Sequence, residues 1–166
     1  MSTAYLGLGS NIEARVNIRS GIAALRSAFG GFALSPIYES PAVGFDGNDF
    51  INAVARIETE LSPLDLKHWL NELEDRHGRA RNVPKFSDRT LDIDILIYDD
   101  LWLLSPELEI PRREIMSSAH VLKPLADIAP DLVHPEEGRR VEELWRSFDG
   151  ATDRLTVIEL DGPGSE

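Results

Sequence analysis

Residues 91–98, Leu-Asp-Ile-Asp-Ile-Leu-Ile-Tyr, constrain the fold more than any other stretch of the chain. The run is aliphatic, short and rich in β-branched side chains, which predicts a strand. Alternation along such a strand sets Ile93, Ile95 and Ile97 on one face and both carboxylates, Asp92 and Asp94, on the other. At about 3.3 Å per residue the two α-carbons lie ~6.6 Å apart, a span that two carboxylates can close around one or two cations. Aspartate is disfavoured in strands, and two like charges on one face cost stability unless a cation or strong donors neutralise them. Magnesium suits the pair, being a hard ion that binds few protein carboxylates and completes its octahedron with water and phosphate oxygens. Taken on spacing alone, the same two residues also fit a solvated strand face.

The segment before this strand carries the opposite charge. Arg76, Arg79, Arg81, Lys85 and Arg89 stand against the single acid Asp88, in a chain whose 29 acidic and 17 basic residues give a net charge of -12. Residues 79–89 show little apolar periodicity and contain Pro84, which predicts an exposed loop. Phosphoryl transfer is catalysed largely by positioning and by neutralising charge on the moving group, so cations on a loop beside a carboxylate metal site form a coherent set. A solvated basic loop paired with acidic neighbours is the competing reading. The net negative charge argues against a nucleic-acid partner. The chain has no cysteine, which excludes disulfides and thiolate metal sites and fits a reducing compartment. His68, His77, His120 and His134 show no zinc-site spacing and are not read as metal ligands.

Around the central strand the chain reads as alternating elements. Residues 4–8 form a short apolar strand stopped by Gly9-Ser10-Asn11, and from Arg15 the positions Val16, Ile18, Ile22, Leu25 and Phe29 keep helical spacing up to Gly30-Gly31. Residues 32–38 read as a second strand, 40–48 as a loop and 50–57 as a third strand, the last two strands pairing antiparallel. Ser62-Pro63 opens a second helix, with Ser62 as N-cap and Leu66, Trp69, Leu70 and Leu73 as its apolar stripe, ending near His77-Gly78. Beyond residue 98 the pattern predicts an extended segment over 106–111, partial helix over 117–128 and a short helix over 141–148. The order strand, helix, strand, strand, helix, strand is that of an α+β, ferredoxin-like βαββαβ arrangement with helices packed on an antiparallel sheet. One domain over 1–150 is expected, with 151–166 a peripheral or disordered tail. No stretch has the pattern of an export signal or reaches the ~18 apolar residues of a membrane span, so a cytoplasmic protein is expected.

Two weaker motifs remain. Gly7-Leu8-Gly9-Ser10-Asn11 invites a phosphate-loop reading but matches neither a Walker sequence nor a dinucleotide fingerprint, and a tight turn accounts for it better. Ser40-Pro41-Ala42-Val43-Gly44 with Phe50 and Asn52 offers backbone groups, an aromatic face and an amide to a flat heterocycle, although a plain loop and strand explain it equally.

Read together, these segments resemble the 6-hydroxymethyl-7,8-dihydropterin pyrophosphokinase family of the folate pathway, from Leu6 to about Pro130. The most specific match is Arg89-Thr90-Leu91-Asp92-Ile93-Asp94-Ile95-Leu96, supported by Tyr38-Glu39-Ser40-Pro41, Phe50-Ile51-Asn52-Ala53, Gly78-Arg79-Ala80-Arg81 and Val121-Leu122-Lys123-Pro124-Leu125. The resemblance implies transfer of the β,γ-diphosphate of ATP to the pterin hydroxymethyl group with release of AMP, and two magnesium ions held by Asp92 and Asp94. It implies that Asn52, Ser40, Pro41 and Val43 hydrogen-bond the pterin and that Phe50 stacks on it. It sets Asn71, Glu74, Arg79, Arg81, Lys85, Arg89 and Ile95 on or near ATP, with Arg89 and Lys85 stabilising the charge of the transfer. The chain departs from the family pattern at Phe86-Ser87-Asp88, at Pro111-Arg112-Arg113 and at Ser118-Ala119-His120. At these departures the resemblance implies that His120 stacks in place of a phenylalanine and that Arg112 or Arg113 replaces the cationic contacts to ATP that are lost. The alternatives are a relative acting on a related pterin alcohol and a pterin or nucleotide binder without transfer.

Overall fold

The computed structural model describes residues 1–41, 47–78, 90–150 and 155–160. Val43, Arg79, Arg81, Lys85 and Arg89 lie outside the described residues. The chain runs β1 (Ser2–Ser10), α1 (Ala14–Ala28), β2 (Gly30–Leu34), β3 (Ile37–Ser40), β4 (Phe50–Thr59), α2 (Pro63–Arg76) and β5 (Asp92–Tyr98). The sheet is ordered β5-β1-β4-β3, with β2 pairing on β4 beside β3, and its neighbours are antiparallel. This is the ferredoxin-like arrangement read from the order of elements.

The helices on the first face follow their periodicity. α1 buries Ile18, Gly21, Ile22 and Leu25, and α2 buries Leu66, Leu70 and Leu73. Both cover Leu6, Leu8, Ile51, Ala53, Ile57, Ile93 and Ile95 of the sheet. The α2 start is the one expected: the Ser62 hydroxyl accepts from Asp65 N at 3.2 Å, and Pro63 occupies the first turn, where no amide is missed. Val16, expected on the apolar stripe of α1, faces solvent instead, because it lies two residues, about 200° around the helix, from Ile18 and so opposite the face that buries Ile18, Ile22 and Leu25.

Three further differences from the sequence reading have physical causes. The single strand expected over 32–38 is two strands, because Pro36 carries no N–H and interrupts the ladder. Ser35 bridges the gap: its amide donates to Val54 O and its hydroxyl accepts from Val54 N, both at 2.9 Å. Ile97 does not share a face with Ile93 and Ile95. The pairing slips between Tyr5 opposite Ile97 and Leu6 opposite Ile95, so Leu96 is an extra residue and the alternation changes phase there. Finally, β1 continues through Gly9 and Ser10, so the glycine segment read as a turn is strand.

The second face of the sheet is covered by α3 (Glu114–Ser117), α4 (Ala119–Ile128) and α5 (Val141–Arg146) over Val54, Leu96 and Ile97. Between β5 and α3 a short hairpin, β6 (Leu103–Leu104) with β7 (Glu109–Ile110), returns the chain to β5, where Arg112 N donates to Leu96 O at 3.0 Å. Within the segment expected to be extended, only β7 pairs as strand. At the far edge β8 (Thr156–Ile158), in a region read as polar tail, pairs antiparallel with β3.

Candidate active site

The sheet's second face is left uncovered where β5, β1 and β4 run side by side, and the pairing register decides what stands there. Asp92 lies opposite Gly9, Gly9 opposite Asn52, and Asn52 opposite Tyr38; in the adjacent row Asp94 lies opposite Gly7 and Gly7 opposite Val54. The two glycines leave bare backbone between the carboxylates and the Asn52 amide. A Cβ on Gly9 would sit 2.8 Å from Asn52 Nδ2, and one on Gly7 would sit 3.3 Å from Leu96 Cδ2. Over this floor lies a cavity of about 150 Å³, lined by Gly9, Asn52, Asp92, Asp94, Arg112 and His120 among others. Metal, cofactor-site and substrate candidates far apart in sequence thus share one recess.

The positions of the acids are fixed from both sides. The Glu74 carboxylate on α2, 3% exposed, accepts from Ile93 N at 2.7 Å, so a helix side chain takes an amide of the edge strand between the two aspartates. The buried Ser10 hydroxyl, at the end of β1, donates to Thr90 O just before β5. Asn11 and Asn48 exchange side-chain to backbone hydrogen bonds at 3.1 and 3.4 Å, tying the residue that follows β1 to the approach to β4.

The electrostatics of the recess centre on Asp94. Its carboxyl is pushed up to about 7, first by burial and then by the Asp92 charge, against the pull of the Arg112 guanidinium. Burial works against the charge on Arg112, but Asp94 and Glu114 more than offset it, and its pKa is raised. The guanidinium bonds the Glu114 carboxylate at 2.9 Å, and its buried Nε has no hydrogen-bond partner among the described residues. Burial lowers the pKa of His120, whose imidazole is therefore neutral at pH 7. The buried Asn52 Oδ1 also has no partner, while Nδ2 makes a 3.4 Å contact with Leu8 O. A buried unmet acceptor costs about 1–3 kcal/mol, which a donor on a bound molecule would recover.

The donor set fits a magnesium ion that arrives with phosphate. Asp92 and Asp94 lie on one strand face at a cost that a cation would relieve. Among the described residues no group of three or more histidine or acidic side chains is gathered; a magnesium ion on the two carboxylates would complete its octahedron with phosphate oxygens and water.

Other expected site residues are distributed around this recess. Phe50 and Ser40 pair with each other on the face of Asn52, two register positions on, past the pair of Glu39 and Ile51. They do not line the recess. Asn71 and Glu74 lie on α2, against the opposite face of the sheet, and the Ile95 side chain is buried in that core. Glu114 was not anticipated, nor was the role of Gly7 and Gly9. The glycine positions carried a signal: a Gly-x-Gly spacing within a strand clears two successive sites on one face.

The chain also resembles known proteins over most of its length. The family model described as 7,8-dihydro-6-hydroxymethylpterin-pyrophosphokinase matches residues 5–130. The 2-amino-4-hydroxy-6-hydroxymethyldihydropteridine pyrophosphokinase of Pseudomonas aeruginosa is 40% identical over 144 residues, which span 84% of this chain and 88% of that protein. The protein of the same name from Methylorubrum extorquens is 39% identical over 170 residues, spanning 100% of this chain and 98% of its own. Among solved structures, wild-type Plasmodium falciparum HPPK-DHPS with pterin and p-hydroxybenzoate superposes with a TM-score of 0.71 over 95% of this chain. The identity there is 15% and this chain spans 46% of that longer one, so the likeness is one of fold.

Proposed function

The chain belongs to the 7,8-dihydro-6-hydroxymethylpterin-pyrophosphokinase family, and from that premise we propose that it transfers the pyrophosphoryl group of ATP to 6-hydroxymethyl-7,8-dihydropterin in folate biosynthesis. The observation that carries the reading is the single recess joining the Asp92–Asp94 pair to the unpartnered Asn52 carbonyl across a glycine floor. The acids face the phosphates and the amide faces the heterocycle. Asp92 and Asp94 would hold the magnesium ions, two in this reading, which would supply neutralising charge to the phosphates and a lowered pKa to a nearby hydroxyl.

In this reaction the hydroxymethyl oxygen attacks the β-phosphorus, the bond from that phosphorus to the oxygen leaving with AMP breaks, and the hydroxyl proton is released. Asn52 holds the pterin by its amide, with Ser40, Pro41 and Val43 along the adjoining segment. The neutral His120 supplies one flat wall within the recess, and Phe50, beyond its edge on the face of Asn52, supplies the other; a neutral ring adds no charge against which the heterocycle must be desolvated. Arg112 contributes a cation facing Asp94 and the phosphates, with Glu114 holding its guanidinium. Arg79, Arg81, Lys85 and Arg89 carry the remaining positive charge toward ATP, Lys85 and Arg89 at the transferred group. Glu74 acts from behind the strand by holding Ile93. Asn71 and the Ile95 main chain complete the nucleotide side.

Both substrates are small molecules, and no helix among the described residues is long and apolar enough to cross a membrane. A cytoplasmic enzyme without nucleic-acid partners follows from this reading and from the net charge of -12. Purified protein incubated with ATP, magnesium and hydroxymethyldihydropterin, followed by nucleotide separation, tests it. AMP formed only when pterin is present supports transfer. Pterin binding without AMP would leave a binder in place of an enzyme.

A further inference from the structure

We propose that β8, with its anchors on α1, is a positioning strap for the strand that carries the substrate-facing residues Ser40 and Pro41, and so sets pterin affinity rather than the rate of transfer. The inference rests on the proposed function for its ligand, but not for its mechanics.

β3 is four residues long and ends at Ser40. On its inner side Tyr38, Glu39 and Ser40 pair with Asn52, Ile51 and Phe50. Without a further neighbour it would be a short edge strand, an element whose backbone bonds open at little cost. β8 supplies that neighbour, pairing Ile158, Val157 and Thr156 with Ile37, Tyr38 and Glu39. Three residues of strand are weak by themselves, yet the segment is held by more than its ladder. Arg15 Nη1 donates to Glu159 O at 2.9 Å and Arg19 Nη2 to Leu160 O at 2.7 Å, both from α1, while Ile158 and Leu160 pack on the core.

A continuous set of contacts thus runs from α1 through residues 159–160 and β8 to β3 and the Ser40-Pro41 corner. Asp92 and Asp94 sit on β5, at the opposite edge of the sheet. Loosening the strap should therefore disturb pterin capture and leave the chemistry alone.

The test uses three full-length variants. Thr156→Pro and Val157→Pro are made separately, because successive amides of an antiparallel edge strand point to opposite sides and only one of the two donates to β3. The other is an internal control, and both side chains are exposed, so no core packing is lost. The third variant, Arg15→Ala combined with Arg19→Ala, removes the anchors and keeps the ladder. It decides the question should a proline variant fail to fold. Amide hydrogen exchange at residues 37–40 and steady-state kinetics with ATP and pterin are read on each.

The expected result is faster exchange at 37–40 in one proline variant and in the arginine pair. If the ordered form falls to about a tenth of the population, the pterin KM rises about tenfold, with kcat changed by less than about twofold. Exchange matching the parent in every variant would overturn the strap, as would faster exchange with an unchanged pterin KM or a loss confined to kcat. A parent protein that yields no AMP with pterin would count against the proposed function, and the exchange data alone would then judge whether β8 orders β3.

Discussion

Burial and the neighbouring Asp92 charge hold the Asp94 carboxyl at about 7, with Arg112 opposing them. An unfolded aspartate titrates near 3.9, so between roughly pH 4 and 7 the folded chain binds more protons than the unfolded one, and this group's contribution to stability falls as pH rises. Asp94→Asn removes that cost. In metal-free protein it should raise the unfolding free energy at pH 8 by up to about 4 kcal/mol and leave it nearly unchanged at pH 4, as urea titrations at the two pH values would read. The same variant, like Asp92→Asn, should abolish transfer; full turnover in either would remove the pair from the metal site. Asn52 makes a separable contribution on the pterin side. Asn52→Ala should weaken pterin binding by about 2 kcal/mol, roughly thirtyfold in Kd, while ATP binding stays near that of the parent. Calorimetric titration with each ligand distinguishes this from a general loss of the site. Gly9→Ala places a methyl where the Asn52 amide now lies and should impair pterin binding in the same way, without adding or removing charge.

Elements that look independent in sequence are joined around the recess by a few side chains. The Tyr38 hydroxyl of β3 donates to Asp127 on α4, which also accepts from Lys123 at 2.8 Å, so the strand ending at Ser40 and the helix bearing His120 are fixed to each other. Tyr38→Phe should cost about 1–2 kcal/mol of stability, measured by urea unfolding, because it leaves a partly buried carboxylate short of a donor. Much of this architecture was legible: the β5 alternation with its two acids, the Ser62-Pro63 start of α2 and the order of the core elements all depend on contacts between near neighbours in sequence. What was not legible depends on partners distant in the chain. The bulge at Leu96 exists only against β1, and β8 gains its strand character only by lying on β3 under two arginines from α1. Gly7 and Gly9 read as a turn until β4 and β5 are laid on either side, when they become the floor between Asp92 and Asn52. The resemblance supplied His120 and Arg112 as site residues, whereas composition and spacing gave no reason to bring either to β5.

Over the whole molecule the two faces of one sheet are used differently. One is sealed by α1 and α2 over an apolar core, and the other is covered by α3 to α5 except at the recess, where buried charge and an unmet amide replace apolar packing. Such an arrangement is costly for folding alone and, under the proposed function, would become favourable with cation, phosphate and heterocycle in it, so ligands should stabilise the chain together more than singly. Thermal unfolding with magnesium and a nonhydrolysable ATP analogue, with and without pterin, should show a larger shift for the full set than for either part. The central claim, however, is that the two carboxylates and the amide serve one reaction that moves two phosphates as a unit. Turnover with ATP labelled on the γ-phosphate, in the presence of magnesium and hydroxymethyldihydropterin, tests it most directly. The label should be recovered on the pterin diphosphate with an equal amount of AMP, and Asp92→Asn should yield neither. Label on a pterin monophosphate with ADP, label only on free phosphate, or full transfer by the Asp92→Asn variant would contradict it.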